Sequence, residues 1–171
     1  MKAWLFKRSV AEAKGFGMRI AEEHCNPNTP WGAYIRITEE SLNAFYGAYW
    51  QNIVVPYPNQ LDDGSAQRLD PKILIVAPGV RLSLQYHHLR HEHWRVLDGP
   101  VMVVIGDDQQ SLNEIVAQPG DVIRLPCGKW HRLVGMDHWG RVAEIWEHTD
   151  PEHPSEERDI VRVEDDFGRE G

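Results

Sequence analysis

Cysteine is scarce in this chain: Cys25 and Cys127 are the only two, and they lie far apart. That excludes a disulfide framework and predicts free thiols in a reducing compartment. Long apolar runs are also missing. No stretch approaches the ~18 residues of a membrane span. The first residues interleave Lys2, Lys7, Arg8, Glu12 and Lys14, without the apolar core of a signal peptide. Positive charge is in deficit: 18 Lys and Arg stand against 26 Asp and Glu, a formal net charge of -8. A general binder of nucleic acid or anionic membrane is usually basic, so neither partner is expected. A local basic pocket for a small anion stays compatible with this balance. Internal repeats and low-complexity tracts are absent too. The expected setting is cytoplasmic.

What the chain does have is regular Gly and Pro punctuation. From residue 72 onward, short β-prone runs are predicted at Lys72–Val76, Arg81–His87, Glu92–Leu97, Val101–Ile105, Ser111–Val116, Asp121–Leu125, His131–Val134 and Arg141–His148. Turns at Pro78-Gly79, Asp98-Gly99, Gly106-Asp107, Pro119-Gly120, Pro126-Cys127-Gly128 and Gly140 separate them. Many short strands at even spacing indicate an all-β sandwich or barrel, and double-sheet jelly rolls of this size include the cupins. The 171 residues suit one domain, burying about 70% of the unfolded surface. Residues 1–71 read as an N-terminal extension, 72–148 as the barrel core and 149–171 as a tail.

Two helices are expected in the extension. Ser9 and Glu12 have capping-box spacing, with Gly15 and Gly17 ending that helix. Thr38 is placed to cap a second, Glu39 to about Gln51. There Leu42, Phe45, Tyr46 and Tyr49 form an apolar face, suited to the outside of the barrel or to a subunit contact. Pro56 to Pro71 reads as an exposed polar loop. Thr149 to Arg158 is expected to wander over the surface, and Ile160, Val161 and Val163 to dock on the barrel.

Two motifs carry the chemistry. The first runs Gly79, five residues, Gln85-Tyr86-His87, four residues, Glu92, six residues, Gly99. The second runs Gly120, five residues, Pro126-Cys127-Gly128, two residues, His131. Alternate strand residues share a face, so Gln85 and His87 can aim at one spot. Glu92 returns on the next strand and His131 from a separate hairpin. The set Gln85, His87, Glu92 and His131 offers O, N, O and N ligands with a position left open, as catalytic metal sites require.

Leu82-Ser83-Leu84-Gln85-Tyr86-His87-His88, with Arg90 and Glu92-His93-Trp94, resembles the signature of the type II phosphomannose isomerases. Ile123 to His131 with Arg132-Leu133, Asp159-Ile160-Val161-Arg162 and Glu164 to Arg169 extend the similarity, as does Pro30-Trp31-Gly32-Ala33-Tyr34 upstream. The chain departs from the family pattern at Leu89 and His91. In that family the cupin is usually the C-terminal domain of a protein that also carries a pyrophosphorylase. No nucleotidyltransferase stretch is read in this sequence, so the expectation is restricted to the isomerase. The resemblance implies an all-β cupin jelly-roll barrel (a double-stranded β-helix) with one or two N-terminal helices. It implies interconversion of mannose 6-phosphate and fructose 6-phosphate through an enediolate, with Arg90 needed for activity. Cupins often pair through their sheets, so a homodimer is expected, and the Phe45/Tyr46/Tyr49 face offers one surface for it.

In such a reaction a divalent cation on the adjacent oxygens stabilises the enediolate charge as a Lewis acid; the ligand set suits Zn, Mn, Fe, Co or Ni. The reaction also needs a base with a pKa near 7. His88, His91, Lys129 and Glu144 are the candidates, although strand parity turns His88 away from His87. A sugar phosphate calls for cations, and Arg90, Lys129, Arg132 and Arg162 are available; arginine's planar fork suits phosphate. Trp94 shares the parity of Glu92, which puts it on the cavity side. Other readings stay open at this point: a non-catalytic sugar-binding cupin, a free-sugar isomerase or an oxygenase.

Overall fold

A computed structural model describes residues 1–51 and 68–169. Two antiparallel sheets face each other. The elements are α1 (Lys2–Gly15), β1 (Asn26–Thr29), β2 (Gly32–Arg36), α2 (Leu42–Tyr49), β3 (Leu69–Val76), β4 (Leu84–His87), β5 (Arg90–Asp98), β6 (Val101–Gly106), β7 (Asn113–Ala117), β8 (Val122–Leu125), β9 (Trp130–Gly135), β10 (Gly140–His148) and β11 (Ile160–Glu164), with short 3-10 turns between some of them. One sheet has the order β1-β2-β3-β10-β5-β8 and the other β11-β4-β9-β6-β7.

The central strands β3 and β10 are buried along most of their length. A strand covered on one face alternates, whereas one covered on both reads as a continuous apolar run. Here Leu74, Val76, Trp94, Val96, Leu133 and Val142 pack between the sheets. Ile73, Ile75, Ala143 and Ile145 turn the other way and meet α1 and α2 through Leu5, Ala13, Phe45 and Tyr49. Alternation thus survives inside an almost wholly buried strand, and it sends Glu92, Trp94, Glu144 and Trp146 toward the opposite sheet.

Several expectations need correction. α1 starts at Lys2, so Ser9 lies mid-helix and is no cap. Its hydroxyl and the Glu12 carboxylate both accept hydrogen bonds from Arg141, at 3.1 Å each; the i, i+3 spacing serves a partner on β10. Thr38 makes no side-chain cap, and a 3-10 turn over Glu39–Ser41 precedes α2. On the aromatic face of α2, Phe45 and Tyr49 are buried within the chain against the barrel sheet, while Leu42 and Tyr46 are half-buried. The boundary drawn at residues 71 and 72 falls inside β3, whose sheet already includes β1 and β2. Most of the loop expected over Pro56 to Pro71 lies outside the described residues, but Leu69–Pro71 is strand. The tail is anchored: Ser155 and Asp159 are buried, Ser155 donates to Asp159 at 2.6 Å, and β11 pairs with β4. Of the three docking residues, Ile160 is buried while Val163 is exposed. Both cysteines are free, as expected.

Candidate metal centre and its cavity

Register brings three buried side chains together. β4 supplies His87, β5 supplies Glu92 and β9 supplies His131, with Gln85 paired opposite His131. The ligand atoms of His87, Glu92 and His131 all lie within 4.8 Å of one another. His87 Nε2 is 2.9 Å from Glu92 Oε1, and His131 Nε2 is 3.4 Å from Glu92 Oε2. His131 Nδ1 sits 2.8 Å from the Lys129 carbonyl oxygen. A carbonyl only accepts, so Nδ1 carries a proton, and in the neutral ring Nε2 presents a lone pair. In that form Nε2 and Glu92 Oε2 are two acceptors facing each other, buried and without hydrogen bonds. A cation satisfies both, and the backbone carbonyl behind the histidine is the support that metal-binding imidazoles use. Burial lowers the pKa of His87, which favours the neutral ring a metal requires. Burial acts to raise Glu92, but the His87 ring and the Arg90 guanidinium outweigh it and hold the carboxyl well below its ordinary range. The residues present fit a divalent cation.

Arg90 is the charged neighbour of this cluster. It is 1% exposed, donates to Glu92 Oε1 at 2.9 Å and to Ser155 Oγ at 2.7 Å, and lies 3.2 Å from His87 Nε2. Its guanidinium carbon stands 3.6 Å from the centre of the Trp146 ring. Beyond the cluster opens a cavity of about 300 Å³, at the lower end of the range for small-ligand pockets, roughly 300–1,000 Å³. Glu144 lines it, opposite Trp94 in the β5–β10 register. Glu144 Oε1 accepts from Trp94 Nε1 at 3.0 Å, and Lys72 Nζ lies 3.7 Å from Oε2. Burial, then the nearby Glu92 charge, push the Glu144 carboxyl up to about 7. Burial brings the Lys72 ammonium down to about 7 against the pull of Glu144.

A profile of the family Mannose-6-phosphate isomerase C-terminal matches residues 48–165. The chain belongs to that family. Among curated relatives of this isomerase-family domain, the xanthan biosynthesis protein XanB of Xanthomonas campestris pv. campestris (strain B100) is 32% identical over 95% of this chain and 28% of its own length. The alginate biosynthesis protein AlgA of Pseudomonas aeruginosa is 30% identical over 95% of this chain and 27% of its own. The mannose-1-phosphate guanylyltransferase ManC of Salmonella typhimurium is 28% identical over 95% and 27%. The chain thus spans a little over a quarter of the length of these relatives. A solved oxalate decarboxylase from Bacillus subtilis shares the fold, with TM-score 0.57 at 14% identity over 82% of this chain and 30% of that one. The capsular polysaccharide assembling protein CapF from Staphylococcus aureus does so with TM-score 0.52 at 16% identity, over 86% and 32%. The two-sheet architecture is the cupin jelly roll expected from the strand pattern.

Within this cupin the expected site residues divide into two groups. Gln85, Arg90, Glu92, Trp94, His131, Arg132, Glu144 and Arg162 line the cavity, and His87 sits with Glu92 and His131 behind it. Gln85 adjoins the cluster with its amide nitrogen 3.4 Å from His87 Nε2, while its oxygen accepts from Ser83 Oγ at 2.7 Å. For Gln85 to offer oxygen to a cation, the amide must turn over and Ser83 must accept instead of donate. His88 and Lys129 lie elsewhere. His88 is exposed, edge-on to Tyr86, as strand parity required. Lys129 pairs with Asp107, 2.5 Å away, and does not line the cavity. His91 Nδ1 accepts the Cys127 N–H at 2.9 Å, so it braces a turn. Sequence reasoning missed Lys72, Trp146, Ser155 and Asp159. Trp146 follows Glu144 by two positions, a parity signal that was available. Asp159 stood in a segment that resembles the family, but nothing local brings it or Ser155 to Arg90.

Proposed function

We propose that this chain is a metal-dependent aldose–ketose isomerase acting on a hexose 6-phosphate, with mannose 6-phosphate and fructose 6-phosphate as the pair. The observation that carries this reading is the buried His87, Glu92 and His131 cluster beside a cavity that also holds Arg90 and Glu144. Family membership supports the substrate class, because the profile is named for mannose-6-phosphate isomerase.

In this reading His87, Glu92 and His131 hold one divalent ion, with Gln85 as a fourth ligand after its amide turns. When bound, such an ion supplies Lewis acidity that stabilises negative charge on the sugar oxygens. Glu144 is the proton carrier. Its carboxylate takes the proton from C2 of the open-chain aldose and returns it to C1, while the hydroxyl proton passes from O2 to O1. A carboxyl poised near neutral pH is suited to both halves of that exchange. Arg90 keeps positive charge beside the reacting oxygens and holds Glu92 and His87 in place. Arg132 and Arg162, on the cavity wall, receive the phosphate. Trp94 orients Glu144 through its indole N–H.

The test is turnover of mannose 6-phosphate by protein loaded in turn with Zn, Mn, Fe, Co and Ni. Conversion to fructose 6-phosphate should require the ion, stop on chelation and return on reloading. Incorporation of solvent deuterium at C1 or C2 should accompany it. Protein that carries one ion per chain and neither converts the sugar nor exchanges its proton is not this isomerase.

A further inference from the structure

The wall of the cavity contributed by the β1–β2 hairpin is neutral. Asn26, Asn28, Thr29, Pro30, Trp31 and Tyr34 line it, and none carries a charge. The cations and carboxylates of the cavity stand on the barrel strands and the tail. The hairpin lies upstream of the residues matched by the family profile.

Two polar groups on this wall are left without partners. Thr29 is 6% exposed and Trp31 5%, and neither Thr29 Oγ1 nor Trp31 Nε1 makes a hydrogen bond. Buried polar groups are nearly always paired, so an unpaired one beside a cavity is a bond left for a ligand. Trp146, on β10 of the same sheet, also lines the cavity and has the same unpaired indole nitrogen. The wall is also firmly held. Lys2 Nζ donates to the Thr29 carbonyl at 2.7 Å, the Ala77 N–H donates to the Trp31 carbonyl at 3.0 Å, and the Trp31 ring stacks on Tyr34 at 6.3 Å and 18°.

We propose that Thr29 and Trp31 form a hydroxyl-reading subsite that binds the carbon chain of a neutral polyol segment and sets which sugar the cavity accepts. The chemistry selects this class. A ligand hydroxyl both donates and accepts, so it can complete the indole N–H and the threonine hydroxyl alike. A phosphate or carboxylate would find no cation among the residues of this wall that line the cavity. The stacked aromatic pair offers apolar faces to the C–H groups of the same chain. This subsite rests on the isomerase reading for its substrate, but its test does not need turnover.

The experiment compares two probes, mannitol 1-phosphate and n-hexyl phosphate, on metal-loaded protein by calorimetry. They share a six-carbon chain and a phosphate, and only the first bears hydroxyls on the chain. Wild type should prefer mannitol 1-phosphate. Trp31→Phe and Thr29→Val should each weaken it by roughly five- to tenfold, the scale of one neutral hydrogen bond, and leave hexyl phosphate binding and metal content unchanged. Variants that bind mannitol 1-phosphate as tightly as wild type overturn the proposal, and so does a wild type that does not distinguish the probes. A second measurement needs no variant. Among the seven indole N–H signals of the 15N-labelled protein, that of Trp31 should move on adding mannitol 1-phosphate and stay with hexyl phosphate; identical responses count against the subsite. Polyol binding through this wall without turnover of mannose 6-phosphate sinks the isomerase and keeps the subsite. Turnover in wild type with unaffected variants does the reverse.

Discussion

The Lys72 ammonium lies 3.7 Å from the Glu144 carboxylate, and both side chains are buried. They sit opposite each other across the β3–β10 ladder, with Lys72 also resting on the Trp146 ring. A buried ion pair is weak evidence for stability, but breaking one strands a charge. Lys72→Met and Glu144→Leu should each destabilise the fold, by up to about 3–5 kcal/mol. The double variant should lose less than the sum. Urea unfolding of the four proteins measures the coupling directly.

The same pair has a pH signature. Glu144 is raised from 4.5 to about 7, so between those values the folded state holds a proton that the unfolded chain releases. Its contribution falls as pH rises through that window. Lys72 is lowered from 10.5 to about 7, so between 7 and 10.5 the unfolded chain holds the extra proton and stability rises with pH. The stability difference between wild type and the double variant should therefore pass through a minimum near pH 7. A difference that stays flat from pH 5 to 9 would contradict the assignment.

Metal removal should destabilise the protein, because an ion that binds only the folded state adds RT ln(1 + [L]/Kd), about 2.7 kcal/mol at a hundredfold excess over Kd. Chelated protein should melt at a lower temperature and recover on adding back the ion. His87→Ala and His131→Ala should abolish both the metal content and the chelator effect. A melting temperature indifferent to chelator in wild type would argue that the three side chains hold no ion.

The barrel was legible because strand alternation and Gly/Pro turns are local signals. Every predicted strand from residue 72 onward has its counterpart, shifted by a few residues at most. The clustering of His87, Glu92 and His131 was legible for the same reason: parity fixes which side chains of β4, β5 and β9 share a face. Ser9 and Glu12 were misread, because helix-cap spacing and two acceptors for a distant arginine look alike in sequence. His88 and Lys129 were proposed from nearness in sequence to ligands, but one residue along a strand reverses the direction, and a surface carboxylate captured the lysine. The anchoring of the tail at Ser155 and Asp159 and the Thr29–Trp31 wall depend on contacts between segments far apart in the chain, which no local pattern reports.

Gly32 opens β2 with φ of +152°, and a Cβ there would meet the Ile75 carbonyl oxygen at 1.9 Å. That approach lets β2 lie against β3. Gly32→Ala combines a disfavoured backbone with a clash against backbone that cannot step aside, so a loss of more than about 1–3 kcal/mol is expected. Gly79→Ala is the control: its φ is +66° with nothing within 4 Å of a Cβ, so it should lose less. Equal losses in thermal melts would mean that crowding at Ile75 is relieved by movement of the hairpin.

Arg90 donates through both its Nε and a terminal nitrogen while stacked on Trp146, a geometry that a lysine cannot reproduce. Arg90→Lys should keep the metal and lower kcat by about 10²–10³, the scale of losing one preorganised electrostatic group. Unchanged kcat with bound metal would remove Arg90 from the reaction. Loss of metal instead would make it a support for Glu92 and His87.

Arg132 lines the cavity nearly buried, held by Glu164 at 3.2 Å with its Nε unpaired. If it receives the phosphate, its worth should depend on the phosphate being there. Arg132→Met should raise KM for mannose 6-phosphate by about 10–100-fold, the range for a hydrogen bond to a charged group. It should leave the weak turnover of unphosphorylated mannose unchanged. An equal loss on both sugars would show that Arg132 shapes the cavity without reading the phosphate, and the anion site would then fall to Arg162, whose side chain pairs with Glu157 at 2.7 Å on the same wall.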